Sequence, residues 1–175
     1  PQSWEAHYDL AVALLQHGDA AQAARALHAA SALKPGTPRI QLALGIALNQ
    51  SNQSAAAIDA FKSVLKADPK SIPALDGLTK ALIAEKRYSA AIAYLKDAPP
   101  DEVLALNLAI AYSKNGNTTE AQQVLSAIVK EHPDYAQAHV NLAILYTQQS
   151  RYRDAAEEFR QALQLDPTDD VARIS

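Results

Sequence analysis

Apolar residues along this chain recur at helical spacing and do not alternate as they would in strands. Leu10 and Leu14, with Val12 and Leu15 beside them, set the pattern, and Leu44 with Leu48, Leu108 with Tyr112 and Leu142 with Tyr146 follow it. A second kind of stretch carries Ala23, Leu27 and Ala30, then Ala57, Phe61 and Val64, then Ala121, Leu125 and Ile128, then Ala155, Phe159 and Ala162. The two kinds alternate, which predicts helices over 4–17, 20–33, 38–50, 54–67, 72–85, 88–97, 102–115, 118–131, 136–149 and 152–165. Gly or Asn marks the turns at His17-Gly18-Asp19 and Lys114-Asn115-Gly116-Asn117, and Asn117 with Glu120 reads as a capping pair. Prolines open loops after the second helices because proline cannot continue a helix.

Those prolines also keep time. Pro35 to Pro69 and Pro133 to Pro167 each span 34 residues, so the chain is a repeat array. The repeats run 4–37, 38–71, 72–101, 102–135 and 136–169. The third is shortened from 34 to 30 residues near Lys96-Asp97-Ala98-Pro99-Pro100, and four residues are about one helical turn. Its second helix is therefore expected to stop about one turn early, at Pro99. The shortening reads either as a tolerated deletion or as a notch that shapes a binding edge. Residues 170–175 begin a further helix, from Thr168 to Ile174, that is cut before it could cover the last repeat. That end, together with Pro1 in place of an initiating methionine and no signal peptide, reads as a fragment or a processed form.

Within each repeat, small residues (Gly45, Ala109, Ala143; Ala57, Ala121, Ala155) fall where two antiparallel helices cross closely, and larger ones (Leu44, Phe61, Tyr112, Leu125, Phe159) flank them. Spelled out over residues 4 to 169, with Leu10, Ala11, Leu14, Gly18, Ala23, Leu27 and Pro35 in the first copy, this resembles the tetratricopeptide repeat, W-x₂-L-G-x₂-Y, then A-x₃-F, then P. Five phased copies make the resemblance specific. It implies an all-α fold, a right-handed superhelical solenoid of antiparallel helix pairs forming a single array over 1–175. One departure is plain. The family's large aromatic at the fourth place is replaced by His7, Gln41, Leu75, Ala105 and His139, which makes the first helices lighter.

Composition narrows the function mainly by exclusion. A formal net charge of −3 supplies no basic field for nucleic acid. No run of eighteen apolar residues is present to span a membrane. The absence of cysteine removes disulfides and thiolate metal sites and leaves cytoplasm and periplasm equally open. The five histidines form no His-x-x-Glu pattern or i,i+4 histidine pair, and no phosphate loop or nucleophile elbow appears. Neither an enzyme nor a cofactor is expected, and His7 and His139 read as packing residues.

What the resemblance implies for function is a concave groove lined by the first helices, in which a protein or peptide lies. Three features of its expected lining carry chemistry. Asn107 and Asn141 stand 34 residues apart at equivalent places, like the asparagine ladder of some peptide binders, where each amide can pair with a ligand backbone. Leu42 with Ile46, Leu106 with Ile110 and Val140 with Ile144 form i,i+4 apolar pairs, pointing to an apolar or amphipathic partner. Gly77, between Asp76 and Lys80, leaves room for a partner's backbone. Asn49 and Lys114 complete the candidate set. Each feature has a plainer reading: helix packing for the amides and apolar pairs, and a surface ion pair for Asp76 and Lys80. The lysine–asparagine–arginine clamp for acidic C-termini is not expected, because Tyr8, Val12, Ala43, Pro73 and Gly77 stand where its groups belong. Two classes remain: a non-catalytic scaffold or adaptor that binds in the groove, and a structural segment that self-associates through its ends or serves as a regulatory arm of a larger enzyme or membrane-associated protein.

Overall fold

The first helix, α1 (Trp4–His17), starts where Ser3 accepts a hydrogen bond from the Ala6 amide, and it ends at Gly18 in the left-handed region. The computed structural model describes residues 3–168 and 171, and among them ten helices follow one another. After α1 come α2 (Ala20–Leu33), α3 (Pro38–Gln50), α4 (Ser54–Ala67), α5 (Ile72–Ala84), α6 (Tyr88–Leu95), α7 (Glu102–Lys114), α8 (Thr118–Glu131), α9 (Ala136–Gln148) and α10 (Tyr152–Leu165). Most of the expected 168–174 helix lies outside the described residues.

The starts and stops have local causes. Pro38 and Pro73 sit in the first turns of α3 and α5, where a missing amide costs nothing. Asp101 caps α7 by accepting from the Leu104 amide at 3.0 Å. The Asn117–Glu120 pair meets side chain to side chain at 2.9 Å, whereas no backbone amide of α8 is capped by Asn117.

One turn is built five times. The fifteenth residue of every repeat has a positive φ: Gly18 and Gly116, but also Asn52, Lys86 and Ser150 near +60°. The next amide then reaches back to the carbonyl of the eleventh residue, Asp19 to Leu14, Gln53 to Leu48, Arg87 to Leu82, Asn117 to Tyr112 and Arg151 to Tyr146, at 2.8–2.9 Å. This is the six-to-one bond that closes a helix C-terminus, and it requires the left-handed residue before it.

The chain divides into two compact units, residues 1–99 and 100–175. In the first, three helix pairs stack: each second helix packs on its own first helix and, for α2 and α4, on the first helix of the next pair as well. The second unit repeats this arrangement with α7 to α10. The first unit's core centres on Phe61, which is fully buried on α4. Its ring lies so close to two glycines that a Cβ added to Gly45 on α3 would stand 2.7 Å from it, and one added to Gly77 on α5 only 2.2 Å. On the outside, the Lys34 ammonium lies 4.4 Å from the centre of the Trp4 ring.

The helix α6 is the exception. It has 8 residues where the other second helices have 14, and it stops at Leu95, two residues before the expected end. Pro99 bars helical geometry at Ala98, and the chain tightens into a last turn in which the Ala98 amide bonds the Leu95 carbonyl at 3.2 Å.

Two outcomes test this packing. Gly77→Ala should destabilise the protein by about 1–3 kcal/mol in urea unfolding, although alanine is favoured by about 1 kcal/mol in an ordinary helix. The loss should shrink when Phe61→Leu is also present. At the turns, Lys86→Gly and Ser150→Gly should each raise the urea midpoint, by about 0.5–1 kcal/mol of stability. Asn52→Gly should raise it less, because asparagine already tolerates the left-handed region.

Candidate partner-binding faces

In the first unit the first helices α1, α3 and α5 place equivalent residues in rows. The fifth places are Tyr8, Leu42 and Asp76, and the ninth are Val12, Ile46 and Lys80. Leu42 is half-buried and Ile46 is 36% exposed, so an apolar strip does reach the surface on α3. On the α1 side the Arg39 guanidinium stacks on Tyr8, 4.3 Å from the ring centre. On α5, Lys80 and Asp76 form an ion pair at 2.9 Å, with the lysine exposed. At the start of α1, the hydrogen bond from the Ser3 hydroxyl to Glu5, with a smaller backbone contribution, holds the Glu5 carboxyl below its ordinary value.

Gly77 does not open this face. It is buried, and the space its missing side chain leaves is filled from inside by the Phe61 ring. Asn49 is likewise drawn into packing: its amide nitrogen donates to the Gly77 carbonyl at 2.9 Å, tying α3 to α5.

The second unit presents less than its sequence suggests. Asn107 is only 4% exposed, and the Asn141 amide donates to the Gln137 carbonyl of its own helix at 2.8 Å. A pair of open amides one repeat apart is therefore not formed. Of the apolar pairs, Leu106 is buried among Leu125, Ile128 and Leu142, and Val140 among Ala143, Phe159 and Ala162. Both are buried, whereas the same fifth place in the first unit, at Tyr8, Leu42 and Asp76, is only half-buried. Ile110 and Ile144 remain half-exposed and Lys114 is exposed.

Two features escaped the sequence. His139, expected only to pack, is buried and bonded at both ring nitrogens: Nδ1 lies 2.7 Å from a Glu158 carboxylate oxygen on α10, and Nε2–H donates to the Pro133 carbonyl at 3.1 Å. It ties the loop before α9 to the helix after it. No sequence signal links positions 133, 139 and 158. The other feature is a hollow of about 430 Å³ on α9 and α10, lined by Ile144, Thr147, Gln148, Tyr152, Ala156 and Phe159. Part of its signal was available, since the places of Tyr152, Ala156 and Phe159 are those of Ser54, Ile58 and Phe61, which are buried in the second repeat.

Among the described residues no group of three or more histidines, cysteines or carboxylates is placed to hold a metal, and no helix is long and apolar enough to cross a membrane.

Comparison with known proteins finds two family models, both described as tetratricopeptide repeat, one matching residues 1–72 and 106–170 and the other 48–103. The chain is 29% identical over 162 residues to cellulose synthase 2 operon protein C of Komagataeibacter xylinus, covering 90% of the chain and 11% of that protein. It is 28% identical over 79 residues to a protein O-mannosyl-transferase of Caenorhabditis elegans, again 11% of the relative's length. The chain thus spans about a tenth of these curated relatives. Among solved structures, MamA from Desulfovibrio magneticus RS-1 is similar with a TM-score of 0.80 at 22% identity, over 97% of this chain and 98% of that one. TTC0263, a thermophilic TPR protein of Thermus thermophilus, gives 0.80 at 21%, over 98% and 96%. YrrB, described as a TPR protein with an unusual peptide-binding site, gives 0.71 at 19%, over 96% and 89%.

The buried histidine gives a measurable contrast. His139→Leu should cost about 1–3 kcal/mol in urea unfolding, because it strands the Glu158 carboxylate and the Pro133 carbonyl. His132→Leu should cost less than about 1 kcal/mol, because its 3.4 Å pairing with Glu102 is almost half-exposed on both sides.

Proposed function

Because the chain belongs to the tetratricopeptide-repeat family, we propose that it is a non-catalytic protein-interaction module that binds a peptide or protein segment on the first-helix face of its N-terminal unit, used as a concave groove. The observation that carries this reading is the pair of rows across α1, α3 and α5: Tyr8, Leu42 and Asp76 beside Val12, Ile46 and Lys80. The rows are apolar or aromatic on α1 and α3 and ionic on α5. An amphipathic partner fits that gradient, with an apolar anchor over Ile46 and a polar end over the Asp76–Lys80 pair. Similarity to YrrB, whose description names a peptide-binding site, supports the same class of partner. Gly77 supports the first-helix face of the N-terminal unit from beneath; taken by itself, the second unit offers Ile110, Asn141, Ile144 and Lys114 as candidate surface residues over the buried Leu106, Asn107 and Val140.

The alternative, a structural or regulatory arm of a larger protein, draws on a different observation. The relative from Komagataeibacter xylinus is many times longer than the matched segment, and its name ties it to a cellulose synthase operon. On that reading the partners are components of a polysaccharide-synthesis system and the array spaces or assembles them. The two readings are compatible, since an arm works through the surfaces it presents.

Peptides selected from a random library by the wild-type chain provide the test. Ile46→Glu leaves a surface position charged and the helical circular dichroism unchanged, and it should weaken the selected peptides by about tenfold or more. Equal binding to both chains would remove this face from consideration.

A further inference from the structure

The first-helix face of the N-terminal unit holds a cation in place without using it. The Arg39 guanidinium lies 4.3 Å from the centre of the Tyr8 ring, and Arg39 is exposed. Among the described residues no carboxylate stands within ion-pair distance of it. The neighbouring charges are engaged elsewhere. Glu5, which holds the same place on α1, accepts from the Ser3 hydroxyl at 2.6 Å, and Asp76 on α5 is paired with Lys80 at 2.9 Å. Arg151 shows the contrast: it stacks on Tyr146 at 4.1 Å, but it is also paired with Asp154 at 2.6 Å and donates to the Gln122 side chain. That stack serves the fold, whereas the hydrogen-bonding edge of Arg39 is left open. Arg39 is also the only charged residue of α3. Arg39, Leu42 and Ile46 follow at i, i+3 and i+7, so they share one stripe of the helix.

We infer that this face selects an acidic amphipathic segment of a partner protein, one that sets an aspartate or glutamate on Arg39 and an apolar side chain on Ile46. The inference rests on the first-helix face being the binding surface, and it adds the charge and the spacing of what lies there. Seven residues at 1.5 Å each put the two contacts about 10 Å apart. An ion pair on a bare surface contributes little. This one forms at the end of an apolar strip that the partner covers, where water is withdrawn and the attraction grows. Arginine can grip both oxygens of a carboxylate, and a guanidinium already resting on a ring loses less freedom when it does so. Charge also sets the direction. The Asp76–Lys80 pair is neutral as a whole, so the acidic end is drawn to the Arg39 side and a basic end is repelled from it.

The probes are peptides enriched from a random library by the wild-type chain. They should carry Asp or Glu at a fixed spacing from an apolar residue, and enriched peptides without an acidic residue would overturn the proposal. Arg39→Glu puts an acidic residue in the first turn of α3, where the helix dipole favours it, and should leave the helical circular dichroism unchanged. It should weaken the peptides by about tenfold or more. Exchanging the acidic residue of a peptide for lysine should weaken binding to the wild type and restore it to the Arg39→Glu chain, a rescue that a merely structural stack does not produce. Weaker binding to Ile46→Glu with none lost on Arg39→Glu would leave the face standing and overturn the acidic partner. Equal binding to all three chains, or no enriched peptide, would remove both. Sedimentation of the chain alone supplies the last arm: a dimer dissociated by Arg39→Glu would assign the face to a second copy and overturn the partner segment.

Discussion

The Phe61 ring, pressed between helices that have each given up a side chain to admit it, is the contact on which the first unit depends. Each glycine in a helix interior forgoes about 1 kcal/mol of propensity, and burying a large aromatic side chain contributes about 1.5–3 kcal/mol together with dense dispersion contacts. The ring cannot shift toward either helix without meeting backbone, so α3, α4 and α5 have one mutual arrangement. Stacks of this kind have no central core, and their stability is a sum of such junctions. A junction that joins three helices from two repeats is therefore worth more than its area.

The surface inherits its form from that interior. With α3 and α5 held by one ring and by the bond from Asn49 to the Gly77 carbonyl, Leu42 and Ile46 hold on α3 the places that the paired Asp76 and Lys80 hold on α5. The second unit uses a different fastening. Ala143 replaces the glycine against Phe159, and His139 links Pro133 to Glu158, so the loop and the two helices are joined by hydrogen bonds as well as by shape. The open residues of both units lie at the margins of these junctions.

Much of the fold was legible because the pattern that signals it is the pattern that packs it. Ala23, Ala57, Ala91, Ala121 and Ala155 share one place in the repeat and are all buried, and the helix limits expected from the proline and glycine punctuation match the observed ones closely. The surface was harder to read. Whether a position such as 106 or 140 turns inward depends on a few tens of degrees about the helix axis, which periodicity does not resolve. Gly77 was misread for a related reason: a glycine on a first helix can leave space on either side, and only the location of Phe61 shows which. The turns at Lys86 and Ser150 hid their left-handed backbone behind ordinary side chains, while Gly18 and Gly116 announced it. His139 and Glu158 meet across 19 residues through tertiary structure alone.

The chain has one tryptophan, Trp4, and it lies in the first repeat under the Lys34 ammonium. Its emission is therefore a local gauge, sensitive to the departure of that cation and blind to the repeats far from it, whereas ellipticity at 222 nm averages all the helices. The gap between the two melting curves of one sample measures how far cooperativity spreads along the stack. A built-in reporter at one end makes this repeat protein its own ruler for the reach of nearest-neighbour coupling.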